Sequence, residues 1–291
     1  MTGPDDRRTP GETTDTPLRV LEHPLVLELR LNRPAVHNAL DEETIARLTE
    51  VLLSIQEHPD GRRAVLLSAE GRSFCAGADL HYMTRIAALD EEENRRDARR
   101  LSGLFQAVRG CPILVIAKVQ GAALGGGAGL AACADLVIAS EKARFGFTEV
   151  RLGVIPATIS PFVVERIGAR RAGALFYTGE ILDATEARRI GLVDRVASPA
   201  ELDAAVDAVL HAVRDIAPGA AREARRLAAR VAAMLPLFDD PRRDADLFAS
   251  TAGDIARLRA APEGREGMAA FLQKRPPSWA GGGPSDPTSA P

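Results

Sequence analysis

Cysteine is scarce, with three in 291 residues, Cys75, Cys111 and Cys133. An odd number at these spacings fits neither a disulfide framework nor a zinc site, so a reducing, cytoplasmic setting and no metal centre are expected. Long apolar runs are missing too. No stretch approaches the roughly 18 consecutive apolar residues of a membrane span, and the opening MTGPDDRRTPGETTDTP has no apolar centre of the kind a secretory signal needs. Charge of one sign is also lacking. The 37 basic and 40 acidic side chains are spread along the chain and leave a net charge of −3, which gives no electrostatic reason to expect a nucleic acid or a membrane surface as partner. Neither the GxxxxGKS/T phosphate loop nor the acidic residue that completes a dinucleotide fingerprint is found around the one glycine-rich stretch.

What is present is ample apolar material, 46% of residues, enough for a main domain with an appendage. Residues 1–17 and 280–291 are rich in Pro, Gly, Thr, Ser and Asp, and read as tails unable to offset the entropy of ordering. Between them, Leu25–Asn32 alternates apolar and polar residues as a half-buried strand does, and RPAVHNAL then leads to Asp41, the expected cap of an amphipathic helix. Ala64–Ala69 reads as a buried strand, followed by the small-residue loop FCAGAD and a charged helical stretch from about Asp90 to Val108. Ile113–Val119, the run GAALGGGAGLAA and Asp135–Ser140 repeat that order. The expected fold class is α/β with parallel strands over 18–199. From about Pro199 the pattern becomes Ala, Arg and Leu at helical spacing, so 200–279 is expected to be a helical region used for packing and subunit contact.

Two loops leave buried strands where open α/β sheets gather ligands: Ser73–Leu80, reading SFCAGADL, and Leu124–Gly129, reading LGGGAG. Residues without bulky side chains let backbone approach a ligand closely, and Gly126, at the start of a helix, is placed to offer a free N–H to developing negative charge. Either loop alone reads more readily as a tight turn or as close helix packing.

Together, NRPAVHNAL, FCAGADL, GAALGGGAGLAACADL and FGFTEVRLGVIP occur in the order and approximate spacing of the crotonase, or enoyl-CoA hydratase/isomerase, superfamily, and EGMAAFLQKRPPSW resembles its closing helix and tail. The resemblance covers nearly all of residues 18–279. It implies a spiral of β-β-α units, a C-terminal helical region used in trimers or hexamers, and an acyl-CoA thioester as substrate with no separate cofactor. It also implies an oxyanion hole made by the backbone N–H groups of Ala78 and Gly126. Ala35, Ala76, Ala78, Asp79 and Leu80 then fall along the CoA, Arg33 beside a CoA phosphate, and Phe271 and Lys274 in the segment that reaches a neighbouring subunit's CoA.

Hydratases of this family carry two glutamates. Here the later one is Glu149, and the position of the earlier one is Gly129. Glu149 lies among apolar residues, so its carboxylate is expected to be partly desolvated, with a raised pKa suited to proton transfer. Gly129 removes a proton carrier and is expected to leave space for water or a bulkier acyl group. The wording from Ala128 to Val164, including VIPATISPFVV, resembles a bacterial branch that contains 3-methylglutaconyl-CoA hydratases, with Thr158, Ser160 and Phe162 shaping the acyl pocket. The activity implied is hydration of an enoyl-CoA; isomerisation by the single glutamate and a non-catalytic acyl-CoA-binding protein are the alternatives. His37, His81, Tyr82, Asp79, Asp135 and Cys75 read as packing or hydrogen-bonding residues.

Overall fold

The alternating run VLELRL forms β2 (Val26–Leu31), and its antiparallel partner is β1 (Leu18–His23), a strand that periodicity did not announce. In this computed structural model residues 16–234 and 241–280 are described, so the two expected tails lie outside the described residues except at their inner ends. One of those ends is held: Asn32 donates from its backbone to Pro17 O and from its side chain to Thr16 O.

Beyond β2 the sheet continues in parallel through β3 (Ala64–Ala69), β4 (Leu114–Val119), β6 (Leu136–Ser140) and β9 (Arg195–Ala197). Such strands are covered on both faces, which explains the unbroken apolar run AVLLSA. Alternate residues divide between the two faces. Leu27, Leu29, Val65, Leu67, Val115 and Val137 join the main core, whereas Val26, Ala64, Leu66, Ile116 and Ile138 pack against Leu202, Val206 and Val209 of α8 (Leu202–Arg214). The helical region expected from residue 200 thus begins with a helix that is the sheet's second layer.

After β2, β3, β4 and β6 the chain crosses to a second, shorter row. Its members are Leu40, the Cys75–Ala78 segment, β5 (Ala122–Leu124) and β7 (Arg144–Gly146), joined by parallel bridges Leu40–Ala78 and Cys75–Ala123 and by the β5–β7 ladder; β8 (Ile181–Asp183) closes the row antiparallel to β7. A helix then follows each short piece: α1 (Glu42–Glu57), α2 (Leu80–Ile86) with α3 (Glu91–Arg109), α4 (Gly126–Cys133), and α5 (Ser160–Ile167) with α6 (Ala169–Thr178). Long strand, short strand and helix recur as one spiral unit, which is the expected α/β class with the expected β-β-α repeat. Asp41 caps α1 through Thr44 N–H at 2.8 Å, as its sequence position indicates. α7 (Ala184–Arg189) links β8 to β9.

Past β9 the described residues form only helices, namely α8, α9 (Pro218–Met234), α10 (Pro241–Ala260) and α11 (Pro262–Leu272). Arg225 of α9 ties this region to the sheet, with Nε donating to Asp135 Oδ1 at 2.7 Å and its two terminal nitrogens to Cys111 O and Arg109 O. Among the described residues no helix is long and apolar enough to cross a membrane, and no cluster of three potential metal ligands is found.

Replacing Arg225 by Ala removes all three bonds and leaves Asp135 without its counter-charge. The expected loss is about 3 kcal/mol in denaturant unfolding, with faster amide exchange in α9 to α11; unchanged exchange there would show that the helical region is held by other contacts.

Candidate active site

The Gly77–Ala78 peptide is oriented by Leu40. The Leu40 N–H donates to Gly77 O at 2.7 Å, and the Asp79 N–H donates back to Leu40 O at 2.9 Å. In a planar trans peptide the C=O and N–H point in opposite directions, so the Ala78 N–H faces away from Leu40, toward the β5 side of the row. There Leu124 N–H still reaches Cys75 O at 2.9 Å, but Gly125, with φ +51°, turns the chain into α4 before a partner for Ala78 can form. The Ala78 N–H accordingly has no acceptor among the described residues, and Ala78 is exposed. Gly126 opens α4, so its N–H is one of the four a helix start leaves unpaired, and it is only partly buried.

Glycine at positions 77 and 125 lets the two loops meet. Gly77 has φ +100°, and a Cβ there would lie 3.1 Å from Leu124 O; a Cβ on Gly125 would lie 3.8 Å from Gly77 Cα and 3.2 Å from Glu149 Oε1. That last distance places the Glu149 carboxylate against the turn that presents Gly126. Glu149 begins a short 3-10 turn, Glu149–Leu152, after Thr148. Its Oε2 is buried and has no hydrogen-bond partner. Burial pushes its pKa above the usual carboxylate value, and only its own backbone N–H opposes the shift. Two outward-facing N–H donors beside one partly desolvated carboxyl can stabilise an enolate oxygen and move a proton.

The space expected at Gly129 is not there. Gly129 is buried, and a Cβ on it would lie 2.3 Å from Ile159 Cγ2 and 3.2 Å from Phe105 Cε1. The Ile159 side chain, 1% exposed, fills the direction in which a side chain at 129 would project. The reason lies 30 residues downstream, where the VIPATIS segment leads into α5 and packs that helix against α4.

The remaining expected residues separate into groups. Arg33 is occupied: its Nη1 donates to Ala39 O at 2.6 Å, and its Nη2 to Asp79 Oδ2 at 2.9 Å with Asp41 Oδ2 at 3.2 Å. It holds the loop before α1 to the loop before α2, and its charge is already matched by two carboxylates, contrary to a free phosphate-binding cation. Asp79 accepts from the His81 and Tyr82 N–H groups as the cap of α2; although burial raises its pKa, these bonds and Arg33 leave it below the ordinary value. Ala76 spends its N–H on His37 O, which leaves its carbonyl to offer. Ala35 and Arg33 border a surface hollow of about 320 Å³, and Leu80 is exposed at the start of α2. Thr158 and Phe162 are partly buried, the Phe162 ring 6.3 Å from that of Phe105. Phe271 is 83% exposed and, with Lys274, lies at the end of α11. His37 bonds Ser73 and Arg72, Tyr82 donates to Asp97 at 2.5 Å, and Asp135 accepts from Val115 N–H. Burial raises the Cys75 thiol to about 12, consistent with a packing role.

Asn38 escaped the reading of the sequence. Buried at φ +55°, it accepts from Arg33 N–H and donates to Glu70 O and Ser73 O at 2.8 Å, binding the loop before α1 to the one that carries Ala78. An asparagine in a loop, tolerant of the left-handed region, is the signal that marks it.

Two predictions follow from the carboxyl and its apolar neighbour. Because the folded-state pKa of Glu149 lies above its unfolded value, the wild type is relatively most stable in acid and loses stability as pH rises through the folded pKa. Glu149→Gln should therefore raise Tm at pH 7, with the gain shrinking as pH falls through the raised folded-state pKa and gone below about 4; a lowered Tm at pH 7 would mean that the carboxylate is well solvated. Gly129→Ala should destabilise by about 1–3 kcal/mol through overpacking, and adding Ile159→Ala should recover part of that loss in a double-mutant cycle; strictly additive losses would show that the two residues do not compete for one space.

The family model described as enoyl-CoA hydratase/isomerase matches residues 23–282. A crotonyl-CoA hydratase of Syntrophomonas wolfei is 34% identical over 249 residues, covering 85% of this chain and 91% of that protein. Among solved structures, an enoyl-CoA hydratase/isomerase from Marinobacter aquaeolei superposes with TM-score 0.82 at 37% identity, covering 91% of this chain and 99% of that one. An enoyl-CoA hydratase from Shewanella pealeana gives TM-score 0.83 at 35% identity, over 90% and 96% of the two chains. With a spiral fold, two free backbone donors and a desolvated glutamate already in place, this chain belongs to the enoyl-CoA hydratase/isomerase family of the crotonase superfamily.

Proposed function

We propose that the protein hydrates an enoyl-CoA, with the thioester oxygen held by the Ala78 and Gly126 N–H groups and Glu149 carrying the proton. The observation behind this reading is the buried, unpartnered Glu149 Oε2 next to a pair of unpaired donors. The thioester carbonyl accepts from both N–H groups, which draws electron density from the β-carbon. A water attacks that carbon and gives a proton to the Glu149 carboxylate, while the α,β π pair moves to form the enolate. The carboxyl then delivers its proton to the α-carbon, the carbonyl re-forms, and the carboxylate is regenerated. Water has been added across the double bond with one acid/base group used twice, and CoA takes part only as a portion of the substrate.

The same carboxyl can take a proton from the α-carbon of a 3-enoyl-CoA and return it to the γ-carbon. The Gly129–Ile159 contact supports this second reading, since it leaves no room for another acid at that position. The name of the Syntrophomonas wolfei relative supports the first. The apolar surroundings of Gly126 and Gly129, made by Leu40, Phe105 and Ile159, suit an acyl group without a second carboxylate, so 3-methylglutaconyl-CoA is the demanding case. The Ala76 carbonyl and the hollow beside Ala35 are assigned to the nucleotide end, with Thr158, Phe162 and Leu80 toward the acyl end. Phe271 and Lys274 are assigned to the CoA of a neighbouring subunit in a homotrimer or hexamer, acting in the cytoplasm without a nucleic-acid or membrane partner.

Crotonyl-CoA, 3-methylglutaconyl-CoA and a 3-enoyl-CoA, supplied in parallel, should give a product heavier by one water from crotonyl-CoA, and Glu149→Gln should abolish it. Double-bond migration without water gain from any substrate would replace hydration by isomerisation, and binding without turnover would make the protein a carrier. For the donors, Gly126→Pro removes the N–H at a helix position that accepts proline, and kcat should fall about 10²–10³-fold. Gly126→Ala keeps the N–H and should retain most activity; equal losses in the two variants would trace the effect to side-chain volume.

A further inference from the structure

Away from the two loops, a cleft of about 250 Å³ opens at the leading edge of the sheet, where β3 and β4 begin and the turn between α8 and α9 passes over them. Its walls include Ile113, Leu114, Val213 and Ile216, the last 45% exposed although it is a large apolar side chain. The charged groups around it do not cancel. Arg62 is paired with Glu22 and Asp60. Asp135, an acid of the cleft wall, has both oxygens engaged, one by Arg225 and one by Val115 N–H. Two guanidinium groups remain without a carboxylate among the described residues. Arg63 donates to Gly61 O, and Arg222 has no side-chain hydrogen bond or ion pair among the described residues.

An apolar slot with two unmatched cations meets the needs of one kind of small molecule, a carboxylate with an aliphatic tail. The tail gains by leaving water against Ile113, Leu114, Val213 and Ile216, and the carboxylate supplies the counter-charge that the Arg63 and Arg222 guanidinium groups lack. At 250 Å³ the space is below that of a drug-sized ligand site, which limits the tail to a short or medium chain. We propose that this cleft is a second binding site, separate from the thioester site, for a short- to medium-chain aliphatic carboxylate.

Isothermal titration of the full chain with butanoate, hexanoate and octanoate tests it. Affinity should rise about fourfold for each added CH₂, and 1-octanol should bind at least tenfold more weakly than octanoate. The double substitution Arg63→Gln with Arg222→Gln should weaken octanoate about tenfold or more. Ala221→Phe, at an exposed cleft-lining position on α9, should block it by filling the slot without altering turnover of crotonyl-CoA or binding of CoA. No octanoate binding at millimolar concentration, equal binding of octanol, binding undiminished in Ala221→Phe, or competition by free CoA would each overturn the proposal.

Discussion

One backbone hydrogen bond decides the geometry of the whole site: the Leu40 N–H pulls the Gly77 carbonyl to one side, and the same rigid peptide must then turn the Ala78 N–H to the other. The second strand row makes this bond possible by laying Leu40 beside Ala78, and Gly125 makes it useful by ending β5 one residue before a partner for Ala78 would appear. The unpaired donors are therefore a product of the spiral itself. They depend on no side chain at 78 or 126, which is why small residues suffice there and why a pair of glycines, 77 and 125, is needed where the loops touch.

Around that fixed pair the fold spends polar contacts on rigidity and leaves an oxygen of the Glu149 carboxyl unmatched. Arg33, Asn38, Asp41 and Asp79 form a continuous set of bonds between the loops before α1 and α2, so the segment that carries Ala78 is held from both sides. Glu149 is treated in the opposite way: it is partly buried, Oε2 has no donor, and its pKa rises. A carboxyl held in that condition costs stability at neutral pH and is suited to passing a proton back and forth.

Long-period features were legible in the sequence. The Asp41 cap and the apolar run of β3 follow from local pattern, and the structure places both where the residues put them; Glu149 was picked out by the family resemblance. Three-residue strands such as β5, β7 and β8 carry no period to read, and β1 became a strand only through its pairing with β2. Contacts between distant residues were out of reach for the same reason. Arg33 looked like a free cation because its partner Asp79 lies 46 residues away, and Gly129 looked like open space because Ile159, 30 residues on, supplies the atoms that fill it.

The central claim is that a thioester oxygen is gripped by two main-chain donors. It is tested most directly by the carbonyl stretch of a bound enoyl-CoA carrying ¹³C at the thioester carbon, read as an isotope-edited infrared difference spectrum on the Glu149→Gln protein, which holds substrate without consuming it. The account predicts a clear shift to lower frequency on binding, reduced when Gly126→Pro is added. A bound carbonyl that absorbs at the frequency found in water would contradict it.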